Sequence, residues 1–274
     1  MNPFHEKVAI VTGAASGIGQ ALAEELCSRG THVILTDWKE EQVCTVSDGI
    51  SSTCGSATPV CLDVTDFEVF KKIVDDTVQK YGRLDYIFNN AGIAVGGEVR
   101  DVTIEDWRDV LNVNLNGVVH GVAAAYPVMV KQGFGHIINT ASLEGLVAFP
   151  GNASYVASKH AVVGLSNSLR VEGKALGVKV SVVCPGHIKT AIFNDSKLVN
   201  IDRKKVLEYV AKVPGITPAE CAKVIIKGVE KNKAIIVVTM FAKILYALQR
   251  LSPTLTMKLI MHDVKKLRDA RITD

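Results

Sequence analysis

The 274-residue sequence lacks the features that mark disulfide-rich, metal-binding and nucleic-acid-binding proteins. None of its six cysteines forms a Cys-x-x-Cys pair, and no cluster of His and Cys has the spacing of a zinc site. We therefore expect reduced thiols, a cytoplasmic location and no metal centre. The formal net charge of +3 is too small to indicate a nucleic-acid partner.

The chain also lacks targeting and membrane-spanning signals. Its first residues, Met1–Lys7, have neither the basic start nor the long apolar stretch of a signal peptide. No run of about 18 uncharged apolar residues occurs, so we expect no membrane-spanning helix. Apolar residues are nevertheless abundant, at 48% against 22% charged, which predicts a folded chain with an ample core.

Seven short apolar runs recur along the chain and alternate with longer stretches of helical spacing. The runs are rich in β-branched residues and lack polar alternation, which is typical of strands buried on both faces of a parallel sheet. The predicted strands are Val8–Val11, His32–Thr36, Thr58–Leu62, Leu84–Phe88, Gly135–Thr140, Lys179–Cys184 and Ala234–Val238. Repeated β-α-β units predict an α/β fold, a doubly wound Rossmann-type sheet with helices on both faces.

The helical stretches carry recognisable start and stop signals. Ile18–Arg29 is followed by Gly30 as a C-cap, and Phe67–Lys80 has one apolar side. The run Thr217-Pro-Ala-Glu220 combines an N-cap, a proline at the first helical position and a capping-box glutamate. Because the alternation runs on without a linker or repeat, we predict a single domain, with a catalytic part over residues 1–240 and a C-terminal extension of the same domain over residues 241–274.

A glycine-rich loop directly follows the first predicted strand, in Thr12-Gly-Ala-Ala-Ser-Gly17-Ile-Gly19. Glycines allow a sharp turn and a close approach to a pyrophosphate, and the helix that follows offers free N–H groups. The spacing Gly-x3-Gly-x-Gly differs from the common Gly-x-Gly-x-x-Gly fingerprint. The loop predicts a dinucleotide site, although a tight turn alone would look similar.

Three acidic or amide positions follow the next strands. Asp37 comes 18 residues after Gly19, where a carboxylate can bind both adenosine ribose hydroxyls and repel a 2′-phosphate. We therefore favour NAD over NADP, although Lys39 could weaken that preference and Asp37 could simply cap a helix. Asp63 is placed for an adenine amino group. Asn89-Asn-Ala-Gly92 lets the cofactor pass closely, with its asparagines partly structural.

The sharpest chemical feature is Tyr155-Val-Ala-Ser-Lys159. Residues four apart share a helix face, so a lysine ammonium there is expected to favour the phenolate and lower the pKa of the tyrosine. Ser142, after a strand, can hold a substrate oxygen beside the phenol. Asn114 is an indifferent helix former; buried, it could bend its helix and hold a water that relays protons from Lys159. Each residue alone also has an ordinary structural explanation.

Together these motifs resemble the short-chain dehydrogenase/reductase family from about Lys7 to Val238. The pieces that match in order and spacing are Thr12-Gly13…Gly17-Ile-Gly19, Asp63, Asn89-Asn-Ala-Gly92, Asn114, Ser142, Tyr155…Lys159 and Pro185-Gly186…Thr190. The resemblance implies a seven-stranded parallel sheet, assembly as a homodimer or homotetramer, and a catalytic tetrad of Asn114, Ser142, Tyr155 and Lys159.

The resemblance also implies that Ile188 and Thr190 contact the nicotinamide carboxamide. The residues expected to hold the cofactor are Gly13, Ser16, Gly17, Ile18, Gly19, Asp37, Asp63, Val64, Asn90, Ala91, Gly92, Tyr155, Lys159, Pro185, Gly186, Ile188 and Thr190. A substrate lid would lie at about 191–214, where apolar residues suit either an apolar substrate or packing. Candidate substrate contacts are Ser142, Glu144, Phe149, His187 and Phe193.

Residues 241–274 form a basic tail, with seven lysines and arginines against three aspartates. Apolar residues at helical spacing on both sides of Ser252-Pro253 predict two amphipathic helices. Packing against the body or another subunit explains them most simply, and peripheral attachment to an anionic membrane is the sharper hypothesis.

Three functions fit the sequence. The first is an NAD-dependent oxidoreductase that interconverts a moderately hydrophobic secondary alcohol and its ketone. A 3-oxoacyl-thioester reductase using NADPH would share the motifs, but Asp37 argues against it. A non-catalytic NAD-sensing scaffold is the alternative of another class, and the intact Ser142, Tyr155 and Lys159 argue against it.

Overall fold

A computed structural model describes residues 2–54 and 56–272. Its strands alternate with helices along most of the chain. In chain order the strands are β1 (Val8–Thr12), β2 (His32–Asp37), β3 (Ala57–Cys61), β4 (Tyr86–Asn89), β5 (Val95–Gly96), β6 (Gly135–Thr140), β7 (Val178–Pro185), β8 (Lys197–Leu198) and β9 (Ile235–Val238).

The helices include several long ones and one interrupted by a π-helix at Asn112–Asn116. They are α1 (Gly17–Cys27), α2 (Glu40–Cys54), α3 (Phe67–Tyr81), α4 (Ile104–Leu111), α5 (Gly117–Gln132), α6 (Ala153–Gly173), α7 (Ile192–Asp195), α8 (Arg203–Lys212), α9 (Pro218–Glu230), α10 (Met240–Leu251) and α11 (Pro253–Asp269).

Seven strands form one parallel sheet in the order β3-β2-β1-β4-β6-β7-β9. The seven predicted strands and the doubly wound fold are therefore confirmed, with no boundary shifted by more than two residues. The strand order reverses between β1 and β4, and open α/β sheets bind ligands in the crevice at such a switch point. β5 and β8 form a separate parallel pair that the sequence did not predict.

Apolar layers cover both faces of the sheet. One cluster joins α1 and α9 to the sheet through fully buried residues such as Leu22, Leu26 and Ile225. The other joins α3 and α5 through Phe70, Val74 and Met129. Burying the strands on both faces accounts for their continuous apolar runs.

The helix signals hold in most details. Thr217 and Glu220 form the expected capping box at the start of α9. Asp66 caps α3, which ends at the left-handed Gly82. Gly30 closes α1 as expected: the regular helix ends at Cys27, and the left-handed Gly30 donates to Cys27 O at 2.9 Å while Thr31 N donates to Leu26 O at 3.2 Å, the bonds of a glycine C-cap.

The stretch Ile104–Gln132 is long and apolar enough to cross a membrane by length and composition alone. Its most apolar window has a mean hydropathy of 1.2, and 44% of that window is buried inside the protein. The sequence had predicted no such stretch. Its α5 portion packs on α3 and the sheet, so we assign it to the core of the fold.

A buried histidine makes the fold sensitive to acid. His136, 4% exposed at the start of β6, hydrogen-bonds through Nε2 to Ser181 Oγ at 2.8 Å. Ser181 donates its own hydrogen to Lys233 O at 2.6 Å, so the imidazole is the donor in the first bond. Burial lowers the pKa of His136 to about 3, and the charges of Lys179 and Arg170 add to that effect.

We expect the free energy of unfolding to fall as the pH drops from about 6.5 toward 3, because the unfolded chain then binds a proton that folded His136 refuses. The slope from this group approaches about 1.4 kcal/mol per pH unit. His136→Gln removes that slope, measured by urea unfolding across the pH range, whereas the exposed His160→Gln should keep it. Equal slopes in wild type and His136→Gln would refute the assignment.

Candidate active site

The glycine loop lies at the carboxyl end of β1, at the switch point of the sheet. Gly13 and Gly17 have φ of +66° and +58°, which favours glycine at both positions. A Cβ on Gly19 would lie 2.0 Å from Gly13 O, so a side chain there would clash with the backbone and prevent this turn. Ser16 precedes α1 without a side-chain cap hydrogen bond. The first N–H groups of α1 can therefore receive a phosphate.

Thr12 ties the glycine loop to the end of β4. Its Oγ1 accepts hydrogen bonds from Asn90 N at 2.9 Å and Ala91 N at 3.0 Å. The Asn90 side chain returns a bond to Thr12 O at 3.0 Å. Asn89, one residue earlier, donates to Asn139 Oδ1 at 2.8 Å across β4 and β6. The partly structural role expected for these asparagines is visible in these bonds.

Asp37 ends β2 beside the loop and is only 9% exposed. One carboxylate oxygen accepts from Ala15 N at 3.1 Å and the other from Lys39 N at 3.0 Å. Each oxygen retains acceptor capacity for a ribose hydroxyl. Lys39 directs its ammonium over the Trp38 ring, 5.7 Å from the ring centroid.

The remaining cofactor candidates line the same edge. Asp63 is exposed, with Oδ1 accepting from Thr65 N and Oγ1, while Val64 is buried behind it. On the opposite side, the methyl group of Thr190 would lie 3.3 Å from a Cβ built on Gly17. The segment Pro185–Thr190 thus ends beside the glycine loop, where the predicted lid starts.

Asn114 sits at the centre of the π-helix and is fully buried. Its side chain accepts from Ile93 N at 2.8 Å and donates to Ile93 O at 2.9 Å and to Ser158 Oγ at 3.2 Å. The helix is therefore distorted at the predicted residue. Both polar atoms of the Asn114 side chain already have hydrogen-bond partners. A water that relays protons from Lys159 would therefore bond the backbone carbonyl of Asn114 instead.

Lys159 and Tyr155 share one face of α6. The Lys159 ammonium donates to Thr140 O at 2.9 Å and lies 5.5 Å from the Tyr155 ring centroid. A Cβ on Gly92 would lie 3.4 Å from the same nitrogen and 3.1 Å from Asn114 Oδ1. Burial lowers the pKa of Lys159 to about 8, so most of these lysines still carry a proton at pH 7.

The expected depression of the Tyr155 pKa is wrong for the protein chain by itself. Burial raises the pKa of this phenol, the Glu144 carboxylate raises it further, and a hydrogen bond with Ser142 opposes the rise. Desolvation prevails because the ammonium lies over the ring face and is held by Thr140 O. Ser142 is thus the neighbour that favours the phenolate most directly.

Glu144 brings a second titratable group to the site. Its Oε2 accepts a hydrogen bond from Asn152 Nδ2, at the start of the helix that carries Tyr155. Burial raises the pKa of Glu144 to about 7, and the Asn152 bond partly opposes this. Asn152 Oδ1 is buried without a hydrogen-bond partner among the described residues. A polar group of a substrate could therefore bond the Asn152 amide oxygen and the Glu144 carboxyl.

We expect Glu144→Gln to shift the pH at which alcohol oxidation is half-maximal downward, by up to about one unit. The substitution removes a negative charge that disfavours the Tyr155 phenolate, while an amide oxygen still accepts from Asn152. The measurement is the pH profile of turnover, with Glu172→Gln, exposed on the helix that carries Tyr155, as control. An upward shift would contradict the proposed coupling.

Of the other substrate candidates, Phe193 lies on the predicted lid, His187 precedes it, and Phe149 lies between β6 and α6. The His187 ring packs edge-on against Phe193 at 5.6 Å, and its Nδ1 bonds Val213 O at 3.0 Å. His187 therefore links the two ends of the predicted lid, and its substrate contact stays a prediction. Phe149 packs partly buried against the cluster that contains Leu143.

Sequence reasoning missed three supporting residues. Ser158 bridges Asn114 to Tyr155 O, with 2.7 Å to the latter. Thr140 O positions Lys159, and Asn152 holds Glu144. Ser158 stands at i+3 from the tyrosine, so helical spacing could have identified it. The role of Thr140 could not be predicted, because every residue has a backbone carbonyl and the sequence does not show which one a lysine contacts.

The family model described as short chain dehydrogenase matches residues 7–199. The chain is 38% identical over 191 residues to the meso-2,3-butanediol dehydrogenase of Serratia marcescens, covering 70% of this chain and 75% of that protein. It is 36% identical over 220 residues to the 3-oxoacyl-[acyl-carrier-protein] reductase FabG of Thermotoga maritima, covering 80% and 89%.

Comparison with solved structures finds the same family. A short-chain dehydrogenase/reductase from Burkholderia phymatum in complex with NAD matches with a TM-score of 0.85 and 28% identity, covering 93% of this chain and 96% of that one. The chain belongs to the short-chain dehydrogenase/reductase family, whose oxidoreductases bind NAD(P).

Proposed function

We propose that the protein interconverts a moderately hydrophobic secondary alcohol and its ketone, with NAD as the preferred cofactor. The observation that carries the proposal is the cluster of Ser142, Tyr155 and Lys159 at the carboxyl end of β6, beside a glycine loop fit for a pyrophosphate. Similarity to an enzyme named as a butanediol dehydrogenase supports an alcohol or ketone substrate.

The glycine loop, the start of α1 and Asp37 form a cradle that fits NAD. A side chain on Gly19 would collide with Gly13 O and disrupt this cradle, and the buried Asp37 carboxylate faces the loop at Ala15. When bound, the cofactor supplies the hydride donor or acceptor. The same carboxylate would accept bonds from ribose hydroxyls and repel a 2′-phosphate, which supports the NAD preference.

Tyr155 acts as general acid in reduction and as general base in oxidation. Ser142 holds the substrate oxygen against the phenol, which gives that oxygen a proton as the carbonyl carbon gains hydride. The raised pKa of Tyr155 keeps the phenol protonated at neutral pH. The chain's own residues therefore favour ketone reduction at neutral pH and alcohol oxidation at higher pH.

Lys159 returns protons to Tyr155, with a water held at Asn114 as the link to solvent. The Lys159 ammonium stabilises negative charge on the phenol and, with a pKa of about 8, exchanges its proton readily near neutral pH. Asn114 distorts the helix one layer behind, where its backbone carbonyl can hold a water between Lys159 and solvent. The Ile93 and Ser158 bonds fix that geometry.

The lid gives the pocket its apolar wall. Arg203 holds the first lid turn by donating to Asn194 O and Ser196 O, each at 2.7 Å, and Lys197 pairs with the buried Asp106 at 2.7 Å. Phe149, Phe193 and His187 supply apolar contacts, and Glu144 with Asn152 supplies a polar point. A mainly apolar substrate with one additional polar group fits this arrangement.

A second candidate is a 3-oxoacyl-thioester reductase that uses NADPH. Similarity to the reductase FabG favours it, and the Asp37 carboxylate argues against it. A non-catalytic NAD-sensing scaffold is disfavoured because Ser142, Tyr155 and Lys159 are all present. Assembly as a homodimer or homotetramer in the cytoplasm completes the proposal, and light scattering after gel filtration measures the subunit number.

The test is nicotinamide absorbance during turnover of a panel of ketones, secondary alcohols and 3-oxoacyl thioesters, with NAD(H) and NADP(H) in parallel. We expect turnover with NAD(H) and a ketone or alcohol. Turnover confined to NADPH and thioesters would establish the second candidate instead. Cofactor binding by calorimetry without any turnover would favour the scaffold.

A further inference from the structure

Helix α10 presents an apolar stripe to solvent. Met240, Ile244 and Leu251 are 67%, 63% and 85% exposed, and with Ala247 they follow the spacing i, i+4, i+7, i+11. This spacing places all four side chains on one helix face. Large apolar side chains exposed in a continuous line are uncommon on a soluble protein and mark a contact surface.

The surface continues on α11. Leu255, Leu259, Met257 and Met261 are all exposed, between 46% and 67%. Thr256 Oγ1 bonds Ser252 O at 3.2 Å, so α11 starts directly where α10 ends. We name the exposed sides of these two helices the tail surface.

The opposite side of both helices is fixed to the body. Ala242 and Leu245 of α10 and Ile260 of α11 are buried in the cluster that contains Leu143 and Val162, next to the candidate active site. The exposed stripe is therefore the outer face of well-packed helices. The apolar residues on it are not needed to hold the helices in place.

Basic residues flank the stripe. Lys243 and Arg250, seven residues apart on α10, and Lys258 and Lys265, seven apart on α11, are exposed. In the part of the chain that the structure describes, these four form no ion pair with an acidic residue, and Arg250 lies over the Tyr246 ring. An exposed apolar stripe bordered by unpaired cations is complementary to an anionic lipid headgroup layer with acyl chains beneath it.

We propose that the tail surface binds the surface of an anionic lipid membrane, with α10 lying in the headgroup layer. A second copy of the chain fits less well, because a two-fold contact would bring this cationic surface against itself. The bilayer meets both features at once: apolar depth for Ile244 and Leu251, and negative charge for Lys243 and Arg250.

Membrane contact would place the lid near the lipid. Residues that follow α11 hold the lid, since Asp202 N bonds Ala270 O at 2.9 Å and Ile272 N bonds Asn200 O at 3.1 Å. Arg271 pairs with Asp101 at 2.9 Å beside them. If the proposed function holds, a lipophilic substrate could pass from the bilayer to the pocket; membrane binding itself does not depend on that function.

The test is co-sedimentation of the full chain with vesicles of phosphatidylcholine alone or with added phosphatidylglycerol. We expect at least about 10-fold stronger binding to the anionic vesicles, weakened by salt. Ile244→Ser/Leu251→Ser and Lys243→Glu/Arg250→Glu should each reduce binding by about 10-fold or more. Unchanged melting temperatures would show that the variants fold, and no enzymatic activity is needed for the readout.

Matched controls lie elsewhere on the surface. Val171→Ser/Leu176→Ser removes exposed apolar groups, and Lys223→Glu/Lys227→Glu reverses charges on α9; both should bind as wild type. Negligible binding to either vesicle would overturn the proposal, as would equal losses in the control variants. If wild type binds neither vesicle and Ile244→Ser/Leu251→Ser forms a smaller oligomer than wild type, the tail surface is a subunit interface and the proposal is overturned.

Discussion

Tyr155→Phe is expected to reduce turnover by about 10²- to 10⁴-fold in both directions, the range that a positioned general acid–base group contributes. The variant keeps the ring that packs near Lys159 and loses only the hydroxyl, the group that exchanges a proton with the substrate oxygen. Cofactor affinity should change little. Steady-state kinetics with the best substrate and calorimetry with the cofactor measure the two quantities.

Tyr126→Phe is the matched control, because Tyr126 lies on α5 and its ring packs near Gly173, at the opposite end of α6 from Tyr155. It should retain wild-type turnover. Loss of activity in Tyr126→Phe, or full activity in Tyr155→Phe, would remove the phenol from the mechanism.

Asp37→Asn is expected to lower kcat/KM with NAD by about 10- to 100-fold, because a charge-assisted hydrogen bond contributes about 1.5–3 kcal/mol. It should raise kcat/KM with NADP, since the repulsion of a 2′-phosphate is removed. The amide oxygen can still accept one of the bonds from Ala15 N and Lys39 N. The quantity to measure is the ratio of kcat/KM for the two cofactors.

The exposed Asp48→Asn on α2 makes the same change of charge nearby and should leave the ratio unchanged. If wild type prefers NADP, or if Asp37→Asn leaves the ratio where it was, Asp37 does not select the cofactor. Melting temperatures separate this result from a collapse of the glycine loop.

The sheet could be predicted strand by strand because burial on both faces leaves continuous β-branched runs such as Val8–Thr12. The helix distortion at Asn114 was also predictable, since a polar residue amid a helical pattern carries a local signal. Both features depend on short-range sequence patterns, which a single chain displays directly.

What could not be predicted depends on contacts between distant residues. Glu98 pairs with Arg268 at 2.7 Å across 170 positions, and with Arg271 it ties the tail to the segment before α4. The spacing of residues along the chain does not predict an ion pair between positions so far apart. The direction of the Tyr155 pKa was likewise misjudged, because burial of the phenol is a property of the folded surroundings and outweighs a lysine one turn away.

The most direct test of hydride transfer with protonation by Tyr155 is isotope transfer from NADH deuterated at the transferable position to a ketone substrate. We predict deuterium at the carbinol carbon of the product alcohol, found by mass spectrometry, and its near absence with Tyr155→Phe under the same conditions. Alcohol formed without deuterium at that carbon, or equal labelling by the variant, would contradict the account.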